Sequence, residues 1–151
     1  MILDKRNEFA DALALNTGGA ATYLLGDQID RGAVNPIIGA ETLYLVVSVD
    51  TAITCGTTGT VAFSLASDDT AAISTTTATI HATSRAWATS ATAIPAGTVL
   101  AVIELPRSAT YERYLGILQV TGSAAVSAGK VNAFLTSEPA LWVATDSPFQ
   151  L

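Results

Sequence analysis

The residues of this chain that could carry chemistry are few, and four of them stand together: Tyr111, Glu112, Arg113 and Tyr114. Tyr and Arg are the side chains that most often dominate contact energy between proteins, so this run is a candidate contact surface. The competing reading is a tyrosine capping the edge of a core beside an internal Glu–Arg pair. Catalytic readings find less support. His81, the single histidine, lies among threonines in a stretch that alternates like a strand, with no carboxylate near it in sequence. That suits a surface or interface histidine better than a general base. Serines are plentiful, but no Gly-x-Ser-x-Gly elbow places one as a nucleophile. Cys55 stands alone, so it makes no internal disulfide, and with no basic neighbour it reads as a small apolar residue at a strand end. Asp27 and Asp30, and Asp68-Asp69 in a Ser-rich turn, are solvated turn carboxylates without metal-ligand spacing. Gly56-Thr57-Thr58-Gly59 lacks the Lys and the following helix of a phosphate loop. The expectation is a non-enzymatic protein with no cofactor and no metal.

Composition narrows the partners. Half of the 151 residues are hydrophobic and 13% are charged, well below the usual quarter or so. The length suits one domain with a real core. Seven basic residues against thirteen acidic give a net charge of −6, and from Gly32 to Ile103 the only Lys or Arg is Arg85. A nucleic-acid groove needs clustered cations, so nucleic-acid binding is not expected. No apolar run approaches the length that crosses a bilayer. The opening Met1–Phe9 lacks the apolar region of a signal peptide, and the protein is expected to act where it is made.

The elements that would position these residues are strands. Thr and Ala make up about a third of the chain, and β-branched Thr favours a pleated surface. Thr60–Ala66 alternates, with Val61, Phe63 and Leu65 on one face. Thr77–Thr83 sets Thr77, Thr79, His81 and Thr83 against Ala78, Ile80 and Ala82. Lys130–Thr136 puts Val131, Ala133 and Leu135 on its apolar face. A period of two marks a half-buried strand. Thr42–Val49 and Thr98–Leu105 are apolar on both faces, as central strands or as strands whose outer face meets another subunit. Thr110–Thr136 reads as a hairpin, two strands joined by a turn of small residues. Gly, Pro, Asp and Ser punctuate the series. The fold expected is all-β, an antiparallel jelly-roll-like β-sandwich. Residues 1–19 form an N-terminal arm or a short helix over Leu3–Leu15, 20–137 the sandwich, and 138–151 a C-terminal docking tail.

In order along the chain, a further set of segments is similar to a known family. They are Met1-Ile-Leu-Asp-Lys5, Phe9-Ala-Asp-Ala12, Ile29-Asp-Arg-Gly-Ala33, Gly39–Asp50, Ser67-Asp68-Asp69 and Ile94-Pro-Ala96. Glu112-Arg-Tyr-Leu115 and Ala128-Gly-Lys-Val131 with Ala133-Phe-Leu135 complete the set. The chain resembles the small capsid cement, or decoration, proteins of tailed bacteriophages, of the kind found in a Bordetella phage. Gly116 stands where the pattern often places a second Arg.

The resemblance implies a jelly roll on the outer surface of an icosahedral phage head, made in the bacterial host cytoplasm and bound across joints between major capsid subunits. It implies self-association, a homodimer before a trimer, and neither catalysis nor cofactor. Another virion surface β-sandwich, a head-fibre base or a glycan-binding adhesin using Trp87, Trp142 or Tyr44, is the alternative. The residues expected at partner contacts are Asp4, Lys5, Arg6, Phe9, Tyr111, Arg113, Trp142 and Phe149.

Overall fold

Period-two alternation does build the protein. A computed structural model describes residues 5–32, 42–56, 58–88 and 93–139. After a single 3-10 turn at Lys5–Asn7 come β1 (Glu8–Ala14), β2 (Ala21–Asp30), β3 (Tyr44–Cys55) and β4 (Thr60–Asp68). Then follow β5 (Thr79–Thr83), β6 (Trp87–Ala88), β7 (Val99–Glu104), β8 (Tyr114–Gly122) and β9 (Val126–Thr136).

One sheet has the order β1-β9-β3-β7; the other has β2-β8-β4-β5, with β6 pairing the same β4. Every pairing is antiparallel. With β5 and β6 taken as one interrupted strand, each sheet has four positions. The chain passes between them in the double-sheet order of a jelly roll. The expected all-β sandwich is the observed one.

The two sheets face each other through alternate side chains. Leu45, Val47 and Val49 of β3, with Val131, Ala133 and Leu135 of β9, meet Val61, Phe63 and Leu65 of β4 and Leu115 and Ile117 of β8. Each of the larger groups stabilises the fold by about 1.5–3 kcal/mol on burial. A second, smaller cluster lies on the outer face of the β2-β8-β4-β5 sheet. There Ile73 covers Ala66 and Leu118, flanked by Leu24, Ala78 and Tyr114. The segment that carries Ile73 is tied down locally. Asp68 accepts the backbone N–H groups of Ser74 (2.9 Å) and Thr70 (3.2 Å), and Ser74 Oγ accepts that of Thr77 (3.0 Å). These bonds hold the Asp68 carboxyl below its usual range.

Four sequence expectations are corrected. The Leu3–Leu15 helix is absent over its described part: residues 8–14 form β1, a full strand of the first sheet rather than an arm. Its alternation is hidden by two register shifts and by Ala12 at φ 45°. The Thr110–Thr136 hairpin is not one, because β8 and β9 belong to different sheets and the turn at Gly122–Ala125 hands the chain across. In β5, Ile80 faces solvent at 49% exposure while His81 packs inward. Finally, of the two strands read as central or as meeting another subunit, β3 is central, whereas β7 is an edge strand among the described residues.

Candidate functional site

The Tyr111–Tyr114 run enters β8 at one end of the sandwich, and it divides into an inward half and an outward half. Tyr111 is inward. Its ring is fully buried, and its hydroxyl donates to the carbonyl of Pro106 at 2.8 Å. A tyrosine just ahead of a strand bonding a few residues back is a corner-locking device of β-sandwiches. His81 of β5 lies on this ring, centroids 4.1 Å apart and planes inclined by 33°. The Arg31 guanidinium stands 5.5 Å from the ring centroid and donates to the Tyr111 carbonyl at 3.3 Å. Burial pushes the tyrosine hydroxyl up and the histidine down, the latter helped by the nearby Arg31 charge.

Glu112, Ser67 and His81 form a chain of hydrogen bonds. Ser67 Oγ donates to Glu112 Oε2 at 3.1 Å and accepts the Glu112 N–H at 3.2 Å. It is also 2.8 Å from His81 Nε2. Which of Ser67 Oγ and His81 Nε2 donates across that bond depends on the histidine tautomer. Thr79 Oγ1 donates to the other oxygen, Glu112 Oε1, at 3.4 Å. The order Glu–Ser–His differs from that of a hydrolase triad, where the carboxylate orients the imidazole and the imidazole takes the serine proton. Ser67 is fully buried. The arrangement joins β4, β5 and the entrance to β8.

Arg113 and Tyr114 are the outward half. Arg113 holds Asp30 at the end of β2 through two parallel bonds, Nε at 2.9 Å and Nη2 at 2.8 Å, both side chains about half exposed. The hydrogen bonds from Arg113 and the Gly32 N–H lower the Asp30 carboxyl to about 2. Asp30 also borders an open groove of about 680 Å³ between the 3-10 turn and the second half of β2, which Lys5, Arg6, Glu8 and Asp27 help to line. Lys5 reaches Glu8 at 3.5 Å across its rim.

Of the residues expected at contacts, three therefore gather here: Lys5, Arg6 and, through Asp30, Arg113. Two are corrected. Phe9 is 1% exposed and Tyr111 fully buried, so both side chains pack into their own domain. Of the competing reading, the tyrosine capping the core is observed, while the internal Glu–Arg pair is replaced by Arg113–Asp30, since Glu112 is taken by Ser67 and Thr79. Asp4, Trp142 and Phe149, with nearly all of the proposed tail, lie outside the described residues. Asp30, Ser67 and Thr79 were missed, because partners brought in from β2, β4 and β5 carry no local signal. Cys55 ends β3 as expected, half-buried with its thiol 4.0 Å from the Ala124 carbonyl. Trp87 is half-buried, with Arg85 stacked on its ring at 3.6 Å and its N–H bonded to the Leu100 carbonyl at 2.9 Å.

These features define a jelly-roll sandwich whose densest polar cluster is spent on its own architecture, beside one charged groove. Residues 9–135 match the family model Bbp16, and the chain belongs to that family, a phage-related family associated with a Bordetella phage protein. No curated protein matches the chain.

Proposed function

We propose that the protein is a non-enzymatic capsid cement. It binds the outer surface of an icosahedral phage head across joints between major capsid subunits and holds the shell against internal DNA pressure. The observation that carries this reading is the family match over residues 9–135, which spans nearly all the ordered segments shared with cement proteins. The geometry supports it. A sandwich whose Glu112–Ser67–His81 chain sets the carboxylate against the serine instead of the imidazole suits a structural subunit. The groove flanked by Lys5, Arg6 and the Arg113–Asp30 pair is the surface offered to the capsid protein.

The mechanism is mass action. A subunit that binds only the assembled shell stabilises it by its binding free energy. Many copies bridging neighbouring capsomers then resist pressure together even where each contact is modest. A contact of about 1,600 Å² suffices for specific binding. A sugar-binding reading loses its described tryptophan, because Arg85 covers a face of Trp87 and Leu100 takes its N–H.

The test is to mix the purified protein with heads stripped of it. Co-sedimentation with a gain in heat and pressure resistance is expected; failure of both sinks the reading.

A further inference from the structure

The charges of this sandwich are gathered at one pole. Five of the seven Lys and Arg residues, Lys5, Arg6, Arg31, Arg107 and Arg113, stand where β1 and β8 begin and β2 and β7 end. Asp30, Glu104 and Glu112 stand with them. Four loops at the opposite pole, residues 15–20, 58–59, 93–98 and 123–125, contain no Asp, Glu, Lys or Arg. Complementary charge steers a protein to its partner and fixes its register there, so the charged pole is the end equipped to orient this protein on another.

At this pole the edge strands of the two sheets part. β1 and β2 touch at Gly26, whose φ of 72° and lack of a side chain let its backbone meet the Phe9 carbonyl. Beyond that contact the groove of about 680 Å³ opens, with Lys5–Glu8 on one side and Asp27–Asp30 on the other. The side-chain charges along it are partly engaged: Lys5 pairs with Glu8, and Asp30 with Arg113. Asp27 is exposed and, among the described residues, has no ion pair.

One wall of the groove offers backbone. Arg31 N–H donates to the Arg113 carbonyl at 3.0 Å, which sets the phase of the pairing between β2 and β8. Arg31 and Ile29 then bond inward to β8, and Gln28 and Asp30 turn their N–H and C=O groups to the free edge. The carbonyl at the closed end is already met, since Gly26 accepts from the Gln28 side chain at 2.8 Å. Among the described residues no strand pairs with this edge of β2.

We propose that an extended segment of the major capsid protein adds to β2 at Gln28 and Asp30, with a Lys or Arg of that segment set against Asp27. In strand addition of this kind the main-chain bonds to an open edge supply affinity, and the side chains along it supply choice. The contact of Gly26 with Phe9 closes the groove and fixes where the added segment stops. The charged pole then faces the shell, and the uncharged loops face away from it. This inference rests on the reading of the protein as a capsid cement, and adds the kind of capsid segment held and the end of the sandwich that holds it.

Amide hydrogen exchange of the full chain, free and bound to stripped heads, is the test. The Gln28 and Asp30 amides should exchange fast in the free protein and slow by about tenfold or more on heads, while residues 15–20 and 123–125 keep their rates. Gln28→Pro removes an outward N–H and leaves the bonds to β8 in place; it should weaken head binding about tenfold. Asp27→Lys should weaken it by a similar factor through like charge. Thr17→Lys, exposed at the uncharged pole, should bind as the wild type does. Heads that leave the wild type unbound overturn this inference together with the cement reading. A wild type that binds while Gln28 and Asp30 still exchange fast overturns this inference alone. So do amides already slow in the free protein, which would mean that a second copy holds the edge, and a loss in Thr17→Lys equal to that in Asp27→Lys. Should the proline variant fail to fold, Asp27→Lys decides, and its binding at wild-type strength overturns the proposal.

Discussion

The δ-methyl of Ile73 fills the space above Gly116 in which any side chain at that position would begin: a β-carbon there would stand 2.5 Å away. Ile73 is 3% exposed and caps the outer cluster of Ala66 and Leu118. The position at which the cement-protein pattern often carries an arginine is thus, in this chain, the floor beneath a loop.

Replacing Gly116 should therefore act through Ile73. Gly116→Arg is expected to lift the 69–78 segment and to destabilise the protein by about 1.5–3 kcal/mol, the worth of burying one large apolar side chain. Gly116→Ala should cost less than about 1.5 kcal/mol, since the obstructing atom is the movable end of a side chain. Urea titration measures both, and limited proteolysis should cut within 69–78 in the arginine variant alone.

Tyr111 contributes through its ring more than through its hydroxyl. Tyr111→Phe removes the bond to Pro106 and should cost about 1 kcal/mol. Tyr111→Ala should cost about 3–5 kcal/mol, because it empties a fully buried site and leaves His81 without its stacking surface. Equal losses in the two variants would refute this division.

His81 should make stability fall on mild acidification. Burial, and then the Arg31 charge, lower its folded pKa below the ordinary 6.5. The folded state therefore binds the proton less readily than the unfolded state, and stability is lost as pH falls from about 6.5 toward the folded value. Tyr111 and Arg31 face the ring, and Ser67 relays Glu112 to it. His81→Gln should flatten the stability profile between pH 7 and 5. A second loss belongs to Asp30, whose stabilisation is present above its ordinary 3.8 and disappears as pH falls toward about 2. Melting temperature against pH for both proteins separates the two steps.

Arg113→Ala should lower stability only slightly at neutral pH, because the pair with Asp30 is half exposed and screened by solvent, and it should remove the acid loss that Asp30 contributes below its ordinary 3.8. The Asp30 carboxyl should return toward its ordinary value, visible in an NMR titration. Co-sedimentation with stripped heads should weaken. Unchanged head binding would mean that this pair only ties β2 to β8.

Much of the architecture was legible because alternation is a local signal. Val61, Phe63 and Leu65, or Val131, Ala133 and Leu135, declare a strand and its buried face without help from any other segment. What escaped notice depended on distant partners. Phe9 and Leu13 stand four apart and mimic a helix, whereas bulges against β9 create that spacing. His81 looked like a surface group because its supports, Tyr111 and Ser67, come from β4 and the entrance to β8. Tyr111 shared its run with Arg113, yet one side chain points into the core and the other to solvent. Neighbours along a chain entering a strand need not share an environment. Apolar character on both faces identified β3 as central, but the same character on β7 marks an edge with one face still uncovered.

The pairing of β1 with β9 also has a consequence for how the protein is made. Among the described strands β1 finds its only sheet partner in β9, and Ala12 N–H bonds the side chain of Asn132, 120 residues later. Until β9 has been made, Phe9, Ala10 and Leu15 lack its cover, so the first sheet cannot close earlier. Loop-closure entropy must be met before these contacts form, which places such topologies among the slow folders, on the scale of milliseconds to seconds. During that wait an apolar N-terminal strand is exposed in the cell, and chaperone capture or aggregation competes with completion of the jelly roll.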